Sequence, residues 1–383
     1  MSDWKECKLG DVAYLVKDTY KPKIGDHLPY IGLEHIQEQG LRLLGVGDSD
    51  SVTSQKFHFK PNDVLFGKLR PYFRKVVKPC FAGICSTDIW VVRALEGNDQ
   101  NFIFYFFANQ EFVDTANSGD SGTRMPRADW HFVKDTIWPF PSLPEQRAIA
   151  GVLSSLNDKI DLLHQQNKTL EGIAEAFWRK MFVEEADPGW DEVSLLELID
   201  LVGGGTPKTE VAEYWDGTIH WLSAKDITAN HKGFIIKTEK TITEIGLNNS
   251  SAKLLPSYST VISARGTVGN YCMLSTPMAF SQSNYGILPR IGGCYYFTYL
   301  LVAHIVDELR MAAYGSVFDT ITTNTFREHR VQVPSKDQII LFENEIRPYF
   351  DKIYINTIQI STLSRMRDKL LPKLMSGEVR VRL

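Results

Sequence analysis

One phrase opens a long helical pattern in the middle of the chain and recurs 193 residues later: Pro141-Ser142-Leu143-Pro144-Glu145 and Pro334-Ser335-Lys336-Asp337-Gln338. Each reads as a Ser-x-x-Glu/Gln capping box, in which the serine hydroxyl and the acidic or amide side chain satisfy orphan N–H groups of a first helical turn. At the same spacing Asp158-Lys159-Ile160 returns as Asp351-Lys352-Ile353, Leu170 as Leu363 and Lys180 as Lys373. A chain that repeats itself at this distance is built from two copies of one unit, here a globular part followed by a long helix.

Both helical segments carry an unbroken seven-residue pattern. The first gives Ile149, Leu153, Leu156, Ile160, Leu163, Asn167, Leu170, Ala174, Phe177 and Met181. The second gives Phe342, Ile346, Tyr349, Ile353, Asn356, Ile360, Leu363, Arg367, Leu370 and Leu374. Alternating steps of four and three make a coiled-coil seam. Antiparallel pairing with Asn167 facing Asn356 sets Ala174 against Tyr349, Ile160 against Leu363, and Leu163 against Ile360. A buried Asn pair costs stability but penalises other registers. Arg367 would face Leu156, and its head is expected to snorkel out. The alternative, each helix packing only on its own globular part, is disfavoured by helix length.

The globular parts align from Trp4 and Trp190, with Pro29-Tyr30-Ile31 matching His220-Trp221-Leu222; the second copy carries about seven extra residues. Strand-like runs at 63–67, 89–93, 260–263 and 286–289 lie among turn residues, and helices are expected over 102–116 and 295–313. The fold class is therefore α/β (α+β), with two strand-rich domains, two long antiparallel coiled-coil helices and an internal pseudo-twofold repeat. The expected divisions are 1–141, a spacer helix at 142–184, 185–334, a second spacer helix at 335–377 and a tail at 378–383.

At 383 residues and 43% hydrophobic content the chain can build two ordinary cores, since a domain usually takes ~100–200 residues. No apolar run reaches the ~18 residues of a membrane span, and the opening Met1-Ser2-Asp3-Trp4-Lys5-Glu6 lacks a signal-peptide core. A cytoplasmic protein is expected. Five cysteines without a Cys-x-x-Cys pair suggest neither disulfides nor zinc.

The order of variable domain, Pro-Ser-x-x-Glu/Gln helix, variable domain and second such helix resembles the specificity (S) subunit of type I restriction-modification systems. So do Gly203-Gly204-Gly205-Thr206-Pro207, Ala264-Arg265-Gly266-Thr267-Val268-Gly269, Leu143-Pro144-Glu145-Gln146 and Leu371-Pro372-Lys373-Leu374-Met375-Ser376-Gly377-Glu378. The resemblance covers essentially the whole chain. It implies two target-recognition domains, each reading half of a split, asymmetric double-stranded DNA site. It also implies spacer helices that dock two methyltransferase (M) subunits and, through them, restriction (R) subunits. S-adenosylmethionine, ATP and Mg²⁺ would belong to those partners, with no cofactor and no catalytic residue in this chain.

Catalytic readings are weaker. Asp187-Pro188-Gly189-Trp190 lacks the second proline of an adenine-methyltransferase loop, and 203–208 lacks phosphate-loop spacing. The histidines show no metal-ligand spacing. Other readings are the recognition subunit of a different multi-subunit restriction-modification enzyme, a self-contained nuclease or methyltransferase with divergent motifs, and a purely structural coiled-coil linker. A net charge of -4 argues against DNA binding, because phosphate neutralisation dominates affinity. Between 56 and 78, however, Lys56, Lys60, Lys68, Arg70, Arg74, Lys75 and Lys78 stand against Asp63 alone, interleaved with aromatics. Residue types that match base edges give as candidates Lys68, Arg70, Arg74, Thr123, Arg124 and Arg127 in the first copy. In the second they are Thr206, Lys208, Lys225, Arg265, Thr267, Thr322, Thr323 and Asn324. Arg70 and Arg265 lead, since both follow a strand-like run at the equivalent turn.

Overall fold

The computed structural model describes residues 4–118, 125–314 and 320–382. They form two compact units: Met1–Leu162 with Ile360–Leu383, and Leu163–Gln359. Each unit combines one strand-rich region with part of both long helices, which run from Leu143–Arg179 and Lys336–Met375. Among the described residues no helix is long and apolar enough to cross a membrane.

In the first unit, Lys5–Lys8 pairs antiparallel with Ile137–Phe140 and closes the strand-rich region on itself. A four-stranded sheet follows in the order Ala13–Val16, Ile89–Ala94, Val64–Gly67, Val76–Val77. A five-stranded sheet runs Thr19–Tyr20, Lys56–Phe59, Gly83–Ser86, Pro29–Ile31, Gly47–Asp48, and its pairing of 29–31 with 83–86 is parallel. The second unit repeats these pairings. Glu192–Ser194 meets Arg330–Gln332, and one sheet runs Ile199–Gly203, Asn284–Pro289, Thr260–Ser263, Tyr271–Leu274, with Phe234–Ile235 added at the edge. The other sheet again holds one parallel pair, Trp215–Leu222 with Met278–Phe280. The four-stranded order of the first unit returns with one strand added, and the sheet with the parallel 29–31 and 83–86 pair returns with four strands in place of five.

The helix expected over 102–116 is two helices, Gln100–Ala108 and Gln110–Ser118. The break is Asn109, whose backbone is extended at φ -71° and ψ 136° and whose side chain is buried. The helix expected over 295–313 spans Tyr295–Tyr314. Of the two capping boxes, the second forms: Ser335 N donates to Gln338 Oε1 at 2.9 Å and Gln338 N to Ser335 Oγ at 3.3 Å. In the first, Glu145 is drawn elsewhere. Its carboxylate accepts Trp4 Nε1 at 3.1 Å and lies 3.4 Å from the Arg380 guanidinium, so it ties the start of the first unit to its end.

The long helices pack on each other and on the strand-rich regions. In the first unit Ile149, Leu153, Leu371 and Leu374 share a core with Phe102, Phe106, Phe107, Trp138 and Phe140. In the second, Ala174, Trp178, Phe342, Ile346, Phe350 and Ile353 share one with Tyr296, Phe297 and Leu300. Helix contact and globular contact are therefore not alternatives, because each helix is wide enough to bury both faces.

Within the second unit Asn356 Nδ2 donates to Asn167 Oδ1 at 2.9 Å, and Asn356 is fully buried. Tyr349 stacks on Phe177 at 6.2 Å, so the partner runs backward as the first helix runs forward. Asn356 Oδ1 has no hydrogen-bond partner among the described residues. An unsatisfied buried acceptor costs more than an apolar group of the same shape. Changing both Asn167 and Asn356 to Leu should then raise the melting temperature by roughly 5 °C and admit additional registers or oligomers on size-exclusion chromatography. A less stable double variant with one species would contradict the register role.

Arg367 departs from the expectation that it would snorkel out. It is 2% exposed, and its guanidinium donates to Asn157 Oδ1 at 2.9 Å, Gly40 O at 3.3 Å and Asp368 Oδ1 at 3.0 Å. Local polar partners hold the charge inside, so it has no need to reach water.

Candidate nucleic-acid interface

In the first unit, strands Ala13–Val16 and Val64–Gly67 end, and Ile89–Ala94 begins, at one end of the four-stranded sheet. Lys68 N donates to Asp88 O at 2.9 Å, and Ala128 N to Lys68 O at 2.9 Å. Arg70 N donates to Pro126 O at 2.8 Å, and Leu69 bridges Arg127. These bonds bring Lys68, Arg70 and Arg127 together. Arg127 Nε lies 3.4 Å from Asp88 Oδ1, with both side chains partly exposed. Arg70 adopts a left-handed backbone, φ 52°, which a non-glycine residue holds only when its surroundings over-determine it.

The second unit builds the same frame. Ala264 N donates to Ser283 O at 2.9 Å and Ile321 N to Ala264 O at 3.1 Å, which places Arg265 beside residues 322–324. Arg265 and Thr267 are exposed. Thr322 caps the helix Thr323–Glu328, the Thr323 hydroxyl lies 3.5 Å from the Tyr285 hydroxyl, and Arg327 donates to Asn324 Oδ1 at 2.7 Å. The Thr206 hydroxyl hydrogen-bonds Gln282. Gly203 pairs with Tyr285, so the 203–206 turn lies at the same sheet end. A Cβ on Gly204 would fall 2.2 Å from Ser281 O, and one on Gly205 2.2 Å from the backbone of Ser251. Gly204 and Gly205 are thus required by chain packing, whereas Gly203 has open space where a Cβ would sit. Lys208 is exposed, and Lys225 pairs with Glu239 at 2.7 Å on the surface; that hydrogen bond raises the lysine pKa.

Two expectations need correction. Arg74 does not face outward: it is 8% exposed, its Nη2 donates to Gln39 O at 2.7 Å, and Asp368 lies 3.6 Å away. The basic stretch around it is not a continuous cationic face either. Lys56 is buried with its ammonium on Ser54, and Lys75 donates to Leu33 O at 2.9 Å. Phe59 and Phe66 lie in the core. Thr123 and Arg124 lie outside the described residues.

Sequence reasoning did not single out Asp88, Gln282 or Tyr285, which stand beside candidate residues at these sheet ends. The signal was the position equivalent to Asp88 in the second copy, Ser283, whose neighbours Gln282 and Tyr285 enter the same sheet end. Of the histidines, His27 comes within 3.4 Å of Asp48 and 3.7 Å of Asp50, all three exposed; exposed groups of this kind are common without an ion.

A family profile described as "Type I restriction modification DNA specificity domain" matches residues 1–172 and 188–364. Among similar proteins, the HindI specificity subunit of Haemophilus influenzae is 23% identical over 99% of this chain and 100% of its own length. The MjaIX specificity subunit of Methanocaldococcus jannaschii is 24% identical over 75% of this chain and 70% of its own. A crystal structure of the type I restriction-modification S subunit of M. genitalium has a similar fold, with TM-score 0.61 and 17% identity over 97% of this chain and 96% of that one. The strand-rich pair and long helices accord with that fold, and the match of the profile across both copies carries the assignment. The chain belongs to the type I restriction-modification DNA specificity family, whose members are non-catalytic specificity subunits.

Proposed function

We propose that this chain reads a bipartite, asymmetric double-stranded DNA site, one half through each strand-rich region. Residues 1–141 and 185–334 act as the two recognition domains. The long helices act as an antiparallel coiled coil about the pseudo-twofold of the repeat, holding the half-sites apart and docking two M subunits, with R subunits joining through them. S-adenosylmethionine, ATP and Mg²⁺ enter with those partners. The observation that carries this reading is the duplicated sheet end. In each unit a strand runs out into a loop bearing an arginine, Arg70 or Arg265, and the same backbone bonds frame both loops. Among the described residues neither side chain has a partner of its own, which leaves the guanidinium free for the O6 and N7 edge of guanine. The first long helix spans ~55 Å at ~1.5 Å per residue, more than the ~34 Å repeat of a duplex turn, so it can separate two reading surfaces.

The test is Arg265→Ala in the assembled complex. Loss of one bidentate contact, ~1–3 kcal/mol, should weaken binding of the target and relax one base pair of the second half-site. A uniform loss across all sequences would make Arg265 a phosphate contact. Unchanged binding would remove it from the interface.

A further inference from the structure

The loop that carries Arg265 and Thr267 is held by a side chain from the helix Tyr295–Tyr314. Arg310, on the helix Tyr295–Tyr314, donates from Nε to Val268 O at 3.0 Å and from Nη2 to Asn270 Oδ1 at 3.2 Å. Asn270 Nδ2 in turn donates to Thr228 Oγ1 at 3.2 Å, and the Thr228 and Thr267 hydroxyls are 2.8 Å apart. The loop also closes on itself: Gly269 N donates to Ser263 O at 2.9 Å, Ser263 N to Asn270 O at 2.7 Å, and Asn270 N to Thr267 O at 3.1 Å. Gly269 sits at φ +80°, and a Cβ there would lie 2.3 Å from Arg310 Nε. Arg310 is therefore packed against Gly269 with no room for a side chain there.

We propose that Arg310 is a positioning residue for base recognition: it fixes the 264–270 loop so that Arg265 and Thr267 present a single geometry to DNA. This rests on the reading of that loop as base-reading. The helix is a rigid base for the purpose, since Tyr299, Val302, Val306 and Leu309 are buried in the core of the second unit. Two donors in a fixed fork reach a carbonyl and an amide simultaneously, a geometry a lysine ammonium does not reproduce. Pre-organised donors discriminate between bases because a mobile side chain can adapt to the wrong partner. Arg310 contacts no base and alters specificity only through the loop.

The experiment compares the full complex carrying wild-type chain, Arg310→Met, Arg310→Lys, Gly269→Ala or Arg265→Ala, each selected against a randomised duplex library and sequenced. Arg310→Met keeps the aliphatic stem under Gly269, and Gly269→Ala displaces the same junction from the loop side. Both should reduce preference by about 5- to 10-fold at the base pairs relaxed by Arg265→Ala. The first half-site should be unaltered, and Arg310→Lys should recover only part of the preference. A merely structural role would lower the melting temperature while keeping base preference in the folded fraction, and that result overturns the inference, as does equal relaxation of both half-sites. The Arg265→Ala arm separates two failures. If that variant alone loses preference, Arg310 has no positioning role but the loop still reads DNA; if none of the variants does, both readings fall.

Discussion

Replacing residues 1–141 with the equivalent region of a relative that has a different target should change one half of the methylated site and leave the other half intact. The expectation follows from the construction of each unit. The first strand-rich region closes on itself through the pairing of Lys5–Lys8 with Ile137–Phe140, so the segment enters and leaves at one place. Its loops carry Lys68, Arg70 and Arg127, while those of the second unit carry Arg265, Thr267 and residues 322–324; different side chains on a common frame read different bases. The joint must be kept. Ile149, Leu153, Leu371 and Leu374 enter the first region's core, Arg74 pairs with Asp368, and Gly40 O accepts from Arg367. An exchange that preserves these contacts should yield a new half-site next to the old one. A change in both halves on methylation mapping would contradict independent reading.

The second large effect is on stability. Arg367→Met removes a buried guanidinium whose partners, Asn157 Oδ1 and Gly40 O, are then left without their donor. Breaking a buried charged network by removing one member typically costs ~3–5 kcal/mol. For a unit of this size the melting temperature should fall by roughly 10 °C. Asn157→Leu should be comparably harmful, since it leaves the charge with Asp368 and a carbonyl alone. The double variant Arg367→Met with Asn157→Leu should recover part of the loss, because an apolar pair replaces the Arg367–Asn157 bond while Gly40 O stays without a donor. Calorimetry of the three variants checks this. Additive losses in the double variant would mean that the two residues do not act together.

The extent to which these features could be read from sequence depended on whether their causes are local. The two long helices were legible because their apolar spacing is set by helix geometry, and the Asn167–Asn356 contact because each copy carries one central Asn. Arg367 stands at a seam position, and its burial depends on Asn157 and Gly40 from distant segments, which periodicity does not carry. The capping signatures were alike in sequence; Ser335 and Gln338 form theirs, whereas Glu145 is taken by Trp4 and Arg380. The helix over 102–116 breaks at a buried Asn109 that no proline or glycine announces. Around Lys56 to Lys78 composition suggested a cationic face, but Lys56, Arg74 and Lys75 find carbonyl and hydroxyl partners inside the fold. The repeat put Arg70 and Arg265 in the corresponding turn, though the shared bonds of Lys68 and Ala264 offset them by one residue, while Arg310, 45 residues beyond Arg265, was not legible, since only the fold brings it to the loop.

A chain that reads two different half-sites at a fixed separation leaves a bipartite methylation pattern. Mapping methylated adenines across DNA from cells carrying this chain with its methyltransferase partner tests it most directly. The expected result is one asymmetric motif of two short specified segments divided by an unread spacer of constant length. A contiguous motif, or two identical halves, would contradict it.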